Sequence, residues 1–124
     1  GEALAGAITA LGVDATAVAP AAARAEDHSL GQLACYASVS PWEVTIDGRK
    51  VVGLSQVRRR GGTLLQAGIV LAMDAERLPA LLALDADTRA SLSSALTTRA
   101  TGLQEHVQRA PHDVMSAVND ALTD

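Results

Sequence analysis

The chain has 124 residues, of which 48% are hydrophobic and 19% charged, a composition typical of one folded domain that excludes a disordered tail. Its formal charge of −4 excludes general nucleic-acid affinity, because such affinity needs clustered cations. We expect a reducing, cytoplasmic setting and no membrane partner: the single cysteine has no disulfide partner, no apolar run reaches the ~18–20 residues of a membrane span, and residues 1–20 lack a basic signal-peptide region.

The first element predicted along the chain is an amphipathic helix. Leu4, Ile8 and Leu11 recur at helical spacing, and Gly12 is a typical stop signal. Residues 13–32 are alanine-rich with little periodicity, which predicts a loop. Because the chain begins within this helix and not at a methionine, we expect it to be a fragment.

A period-two pattern then predicts antiparallel strands. Apolar and polar residues alternate from Trp42, and Asp47-Gly48 is typical of a two-residue hairpin turn. The return strand is predicted over residues 49–55, and a longer, largely buried strand over residues 63–73. These three strands are expected to form the centre of the sheet.

The remainder of the chain is predicted to be helical. One segment lies near residues 75–84 after Asp74, and another begins after Thr88. The last helix begins with Pro111 in its first turn. It is expected to bury one stripe of residues, namely Val114, Val118 and Leu122.

These elements predict an α/β fold of the α+β type, with a mainly antiparallel sheet flanked by helices. We expect one partial domain, with a helix over residues 1–12, the sheet over residues 34–73 and a helical part over residues 74–124.

Basic residues cluster along the predicted sheet. Residues 43–62 contain five basic and two acidic residues, a local charge of +3 that leaves −7 for the rest of the chain. Such a field suits a small anionic ligand better than a polymer. The loop of Arg58, Arg59 and Arg60 is either solvated or an anion clamp.

Two side chains that occur once are candidates for chemistry. Lys50 is the only lysine among ten basic residues, so it is either a surface lysine or an ammonium that takes part in proton transfer, which arginine does not. Cys35 is either an inert thiol or a nucleophile favoured by a nearby cation. Gly53 and Gly68 on neighbouring strands indicate a slot for an extended chain that ends at Lys50.

The aromatic residues and the histidines are less specific. Tyr36 and Trp42 are expected either to pack in the core or to cover it. Alternation places Trp42 on the apolar side of its strand and Glu43 on the polar side. The three histidines share no spacing that favours a metal site, so none is predicted.

Residues 35–71, CYASVSPWEVTIDGRKVVGLSQVRRRGGTLLQAGIVL, resemble the lipoate–protein ligase and octanoyltransferase family of the biotin/lipoate ligase superfamily. Residues 48–56 are similar to the family hairpin G-[RK]-K-[IVL]-x-G-[SI]-[AS]-Q, with Leu54-Ser55 in place of the commoner Ser-Ala. Residues 64–71 are similar to L-x-Q-H-G-x-[IL]-L-L, with Ala67 in place of histidine. The resemblance covers roughly a third of the chain.

Cys35 falls where the cysteine-dependent branch of that family, with its pattern C-F-x-x-P-S-x-Y-E, has its nucleophile. The remaining positions of the pattern are occupied approximately by Tyr36, Ser40, Trp42 and Glu43.

The resemblance implies a biotin/lipoate ligase-like catalytic domain, incomplete at its N-terminus, that attaches a lipoyl or octanoyl group to a lysine of a lipoyl carrier domain. The implied catalytic residues are Lys50 and Cys35. Lys50 would contact the acyl-phosphate in a ligase or support the cysteine in an octanoyltransferase. The implied substrate-binding residues are Gly48, Arg49, Gly53, Ser55, Gln56, Gln66 and Gly68. A ligase would use ATP and Mg²⁺, whereas a thioester-dependent transferase would use no cofactor.

The implied partners are the lipoyl carrier domains of 2-oxoacid dehydrogenases or the glycine cleavage H protein, with acyl carrier protein as the donor for a transferase. The family segment R-R-x-[ST]-G-G-x-x-V-x-H, which forms the lipoyl and nucleotide pocket, has no counterpart here. We therefore expect an N-terminal half-domain on a separate or cleaved chain. The alternatives left open are a non-catalytic accessory half that needs such a partner and, ranked lower, a biotin ligase-like protein.

Overall fold

The computed structural model describes residues 1–123, in which a four-stranded antiparallel sheet is flanked by helices. This arrangement confirms the predicted α+β fold. Two short 3-10 turns occupy Cys35–Ala37 and Leu103–Glu105. The other elements are α1 (Glu2–Ala10), β1 (Thr16–Ala17), α2 (Pro20–Arg24), β2 (Val44–Ile46), β3 (Arg49–Arg59), β4 (Gly62–Ile69), α3 (Arg77–Ala80), α4 (Ala86–Arg99) and α5 (Pro111–Thr123).

The sheet has the order β1-β2-β3-β4, and each neighbouring pair is antiparallel. Asp47 and Gly48 have φ values of 49° and 74°, which confirms the predicted hairpin turn between β2 and β3. The loop predicted over residues 13–32 is wrong in part, since it contains β1 and α2. The two-residue β1 has no periodicity of its own and forms only by pairing with β2, whereas Pro20 followed by alanines is an ordinary helix start.

The β3–β4 hairpin is longer and more exposed than predicted. Arg59 pairs with Gly62, so the predicted basic loop is mostly strand. The side chains of residues 55–67, here called the distal ribbon, are all exposed, which makes the prediction of a largely buried strand over residues 63–73 wrong. An apolar run is buried only where other elements cover both of its faces, and β4 instead forms an edge of the sheet.

The main core lies between the sheet and the packed pair α1 and α5. Its buried residues include Leu4, Ile8, Val44, Val52 and Val114. A second cluster packs α4 against the turn Cys35–Ala37. This second cluster holds the segment around Cys35 beside the sheet.

The predicted helices form with different bounds. Asp85 caps α4 by accepting a hydrogen bond from the backbone N–H of Thr88 (2.9 Å), so this helix begins before the predicted position. The segment near residues 75–84 contains only the short α3. On α5, Leu122 is 62% exposed, so the predicted buried stripe ends before it. Within residues 1–123, every helix is too short or too polar to cross a bilayer.

We expect Gly102→Ala to destabilise the fold, because a Cβ at this position would lie 2.6 Å from the Leu71 carbonyl oxygen and 2.7 Å from the Ala72 Cα. Both neighbours are backbone atoms that cannot rotate away. The expected loss in free energy of unfolding is about 1–3 kcal/mol, measured by urea denaturation. Gly6→Ala in α1 is the matched control: its Cβ would meet open space, so it should gain about 0.5–1 kcal/mol. Equal effects of the two substitutions would contradict this account.

Candidate functional site

Lys50 lies in the interior of the protein with only 2% of its surface exposed. Val44 faces Val52 and Thr45 faces Lys50, so Val51 is an extra, bulged residue of β3. In a regular strand, positions 50 and 53 point to opposite faces. The bulge changes this, and a Cβ on Gly53 would lie 3.4 Å from the Lys50 Cε. Because Lys50 is buried, one of the two roles left open for it, that of a solvated surface lysine, is excluded.

The Lys50 ammonium has a full set of acceptors. Its Nζ lies 2.7 Å from Glu43 Oε2, and it donates to the carbonyl oxygens of Cys35 (2.8 Å) and Ser38 (3.1 Å). It also lies 4.9 Å from the centre of the Tyr36 ring, within range of a cation–π contact. An ammonium has three hydrogens, and these three acceptors use all of them.

Glu43 completes this cluster. The sequence identified Glu43 only as an approximate match to one position of the family pattern. Its side chain is buried, and it accepts hydrogen bonds from the backbone N–H groups of Ser40 (2.8 Å) and Leu54 (3.0 Å). The predicted orientation of this strand end is wrong, since Trp42 is 48% exposed. Trp42 has a φ of 70°, so strand alternation does not extend through it. The sequence indicates this ion pair only in that the unique lysine lies near the glutamate of the family pattern.

Cys35 begins the 3-10 turn Cys35–Ala37, here called the cysteine turn, and its residue is exposed. The two predicted catalytic residues therefore meet through the backbone carbonyl of Cys35. From the other side, Arg99 Nη1 donates to the carbonyl oxygen of Ala37 (3.0 Å), and Ala37 packs against α4. The cysteine turn is thus held both by the sheet and by α4.

Tyr36 links the cysteine turn to the two strand glycines. Its hydroxyl donates to the carbonyl oxygen of Gly68 (2.6 Å) and accepts from the N–H of Gly53 (3.2 Å). A Cβ on either glycine would lie 3.3 Å from this hydroxyl, so the absence of a side chain admits the ring. The space beside the glycines, predicted as a slot for an extended chain, is occupied by Tyr36 in this structure.

The other predicted substrate-binding residues lie outside the Lys50 cluster. Gly48 is in the exposed hairpin turn, and the Arg49 guanidinium pairs with Glu105 (3.4 Å). Ser55 donates to Gln66 (3.2 Å) on the exposed distal ribbon. Gln56 accepts from Arg58 at 3.5 Å on the opposite face of that ribbon. Within residues 1–123, no three His, Cys, Asp or Glu side chains are grouped as metal ligands would be.

An apolar groove of about 650 Å³ lies on the face of the β3–β4 pair opposite to the one that Tyr36 covers. Leu54 and Ala67 line it, and they adjoin Gly53 and Gly68 in the register. Because neighbouring residues of a strand point to opposite faces, the groove and the Tyr36 ring are on opposite sides of the sheet. Trp42 and Leu122, the exposed residues noted above, also line the groove.

Burial raises the pKa of the Tyr36 phenol, the only tyrosine of the chain. We therefore expect its ionisation, followed by the ultraviolet absorbance of the phenolate, to occur above the usual value of about 10. Because the folded state holds this proton more tightly, stability from this source is complete below pH ~10 and is lost as the pH rises further. Tyr36→Phe should remove this alkaline loss and cost about 0.5–1.5 kcal/mol at neutral pH. If the midpoint of Tyr36 ionisation were the same in folded and in urea-unfolded protein, the prediction would be contradicted.

Comparison with known proteins gives one consistent result. No protein-family model and no solved structure matches the chain. Curated relatives named Octanoyltransferase LipM do match: that of Moorella thermoacetica is 34% identical over 85 residues, which are 68% of this chain and 30% of the relative. The Kyrpidia tusciae protein is 43% identical over 54 residues, 44% of this chain and 20% of the relative. The Brevibacillus brevis protein is 40% identical over 55 residues, which are 44% of this chain and 20% of the relative. The matches thus span less than a third of these relatives.

Proposed function

Part of this chain belongs to the lipoate–protein ligase and octanoyltransferase family, and on that premise we propose that it carries the acyl-accepting cysteine of an enzyme that transfers an octanoyl group to a lysine of a lipoyl carrier domain. The observation that best supports this proposal is the exposed Cys35 on a turn whose backbone is bound by the buried Lys50–Glu43 pair. A reactive cysteine needs access to substrate, and a fixed turn supplies orientation.

The proposed reaction has two steps. The Cys35 thiolate attacks the carbonyl carbon of an octanoyl thioester on acyl carrier protein; a new C–S bond forms, and the carrier thiolate leaves and takes up a proton. The ε-amine of the acceptor lysine then attacks the Cys35 thioester. An amide bond forms, the C–S bond to Cys35 breaks, and the amine proton returns to the cysteine or to solvent. The acceptors are the lipoyl carrier domains of 2-oxoacid dehydrogenases or the glycine cleavage H protein.

The proposed substrate contacts differ in the support they receive. Ser55 and Gln66 share a face of the sheet with Gly53 and Gly68, and hence with Lys50, which favours them as contacts for the donor or acceptor domain. The remaining assignments, to Gly48, Arg49 and Gln56, have no such support.

A thioester is already activated, so the proposed route requires no ATP and no Mg²⁺. The ligase alternative, in which ATP activates the free acid, is separated by intact mass spectrometry. One arm contains octanoyl-acyl carrier protein, the other contains octanoate, ATP and Mg²⁺, and each arm is run with and without a lipoyl carrier domain. An octanoyl increment on Cys35 in the first arm is the expected result. Transfer to a carrier domain only in the second arm would favour a ligase and overturn the covalent route.

A second candidate function is an accessory half that acts only with another polypeptide. The eight residues of β4 form an edge of the sheet, contain no charge and no proline, and are exposed except at Ile69, which favours pairing with a further strand. The test adds the portion of the Kyrpidia tusciae relative that this chain does not match, as a separate polypeptide. Transfer that requires this addition supports the accessory function, and transfer by the chain alone contradicts it. A biotin ligase-like function ranks lower because the relatives are named octanoyltransferases.

A further inference from the structure

Resting on the proposed transfer, we infer that Arg99 is a positioning residue: its guanidinium closes the loop of residues 27–37, which carries Cys35, and thereby orients the thiol for acylation. Three observations lead to this inference: the atoms that the guanidinium joins, the lack of regular structure ahead of Cys35, and the fixed position of the helix from which Arg99 extends.

The Arg99 guanidinium bridges the two ends of this loop. Its Nη1 donates both of its hydrogens, one to the carbonyl oxygen of Asp27 (3.0 Å) and one to that of Ala37 (3.0 Å). Its Nη2 donates to the Asp27 carboxylate at 3.4 Å. One side chain therefore binds the first and the last residue of the loop, and Cys35 lies just before the last.

The loop depends on such contacts because residues 27–34 contain neither helix nor strand. Asp27 folds the beginning of the loop by accepting a hydrogen bond from the N–H of Ser29 (2.9 Å), and Leu30 packs against the cluster around α4. Among the side-chain hydrogen bonds of residues 1–123, those of Arg99 alone join Asp27 to Ala37. The path of the chain into Cys35 is therefore set from α4.

The helix provides a fixed base for this contact. Arg99 is the last residue of α4, whose Leu92 and Leu96 are fully buried in the second core cluster. An arginine suits the task because its N–H groups form a rigid planar fork, which binds separated acceptors at the same time. Both side chains of the Arg99–Asp27 pair are partly exposed, so losing the pair should affect the loop and not the whole fold.

Closing the loop matters for the reaction because a nucleophile that is oriented before substrate binds reacts faster. A displacement of about 1 Å can cost about 100-fold in rate. The expected signature is a lower maximal rate of Cys35 acylation at saturating octanoyl-acyl carrier protein. The donor concentration that gives half of this rate should stay the same, because the guanidinium acts on the loop and not on the donor.

The test uses two variants of Arg99. Arg99→Lys keeps the charge and loses the planar fork, whereas Arg99→Ala removes the whole group and is assayed with and without methylguanidine at concentrations that do not denature the native chain. An open cavity of about 510 Å³, lined in part by Arg99, Ser94 and Thr98, gives methylguanidine access to the vacated position. Amide exchange in residues 28–37 and alkylation of Cys35 by iodoacetamide are measured alongside acylation.

We expect Arg99→Lys to lower the maximal acylation rate by about 10- to 100-fold and to raise exchange in residues 28–37 by about 10-fold. Alkylation should change by less than about 2-fold, because a small reagent needs no oriented loop. Arg99→Ala should lose at least as much acylation as Arg99→Lys, and methylguanidine should recover about 10-fold of it by restoring the oriented loop.

Several results would overturn the inference. A higher half-saturating donor concentration with an unchanged maximal rate would place the donor, and not the loop, at Arg99. Alkylation reduced as much as acylation would indicate an effect of the Arg99 charge on the thiol. Unchanged acylation, unchanged exchange or no recovery with methylguanidine would show that the guanidinium does not orient Cys35. Global unfolding of Arg99→Lys would contradict the local role.

The matched control is Arg89→Lys on the same helix. Arg89 donates to the carbonyl oxygen of Leu84 (3.0 Å), outside the loop, so this variant should leave acylation, exchange in residues 28–37 and alkylation unchanged. The inference and the proposed function fail in different ways. Lack of Cys35 acylation in the native chain would overturn the proposed function, whereas the exchange comparison still judges whether Arg99 closes the loop.

Discussion

The variant Cys35→Ser should form no octanoyl adduct and should lose octanoyl transfer by roughly 10³- to 10⁶-fold, the range found when a covalent nucleophile is removed. A serine hydroxyl stays protonated at neutral pH and needs a general base, whereas a thiol supplies an appreciable fraction of thiolate. Intact mass spectrometry measures the adduct, and octanoylation of a lipoyl carrier domain measures the transfer.

This loss should occur without a change in the fold. The Cys35 residue is exposed, and its contact with Lys50 is made by the backbone carbonyl, which serine retains. The free energy of unfolding should therefore stay within about 0.5 kcal/mol of that of the native chain. Retention of ATP-dependent ligation by Cys35→Ser would contradict the covalent route, because the thiol would then be dispensable.

The features predicted correctly from sequence are those with local causes. Asp47-Gly48 suits a turn in which both central residues have positive φ, so the β2–β3 hairpin follows from two residues. Gly12 follows the end of α1, and Pro111 begins α5, as their usual positions at helix termini indicate.

The features that sequence did not predict depend on distant parts of the chain. β1 pairs with β2 across more than twenty intervening residues, so its two residues have no local pattern. The exposure of β4 depends on what covers it, which an apolar run does not specify. The buried position of Glu43 depends on Lys50, since a carboxylate enters the interior only with partners.

The geometry of the candidate site also depends on distant parts of the chain. Lys50 and Cys35 stand out in the sequence because each residue type occurs once, but the contact between them depends on the bulge at Val51, which has no sequence marker. Gly53 and Gly68 were expected to leave a slot for an extended chain, and the position of Tyr36 in that space follows only from the folded arrangement.

The variant Lys50→Met should lower the free energy of unfolding by about 3–5 kcal/mol, the cost of leaving one member of a buried ion pair without its partner. The pair is suited to this test because the side chains of Lys50 and Glu43 are 3% and 4% exposed, so water cannot replace the lost contact. The carbonyl oxygens of Cys35 and Ser38 lose their donor as well. Urea denaturation measures the loss.

The double variant Lys50→Met/Glu43→Gln should recover much of that loss, because it leaves no buried charge without a partner. In a double-mutant cycle the two substitutions should therefore couple by about 2 kcal/mol or more. Arg49→Met is the control on the adjacent residue: it breaks the pair with Glu105, whose side chains are 32% and 42% exposed, and should cost less than about 1 kcal/mol. If Lys50→Met cost no more than Arg49→Met, the buried ion pair could not be what holds the cysteine turn to the sheet.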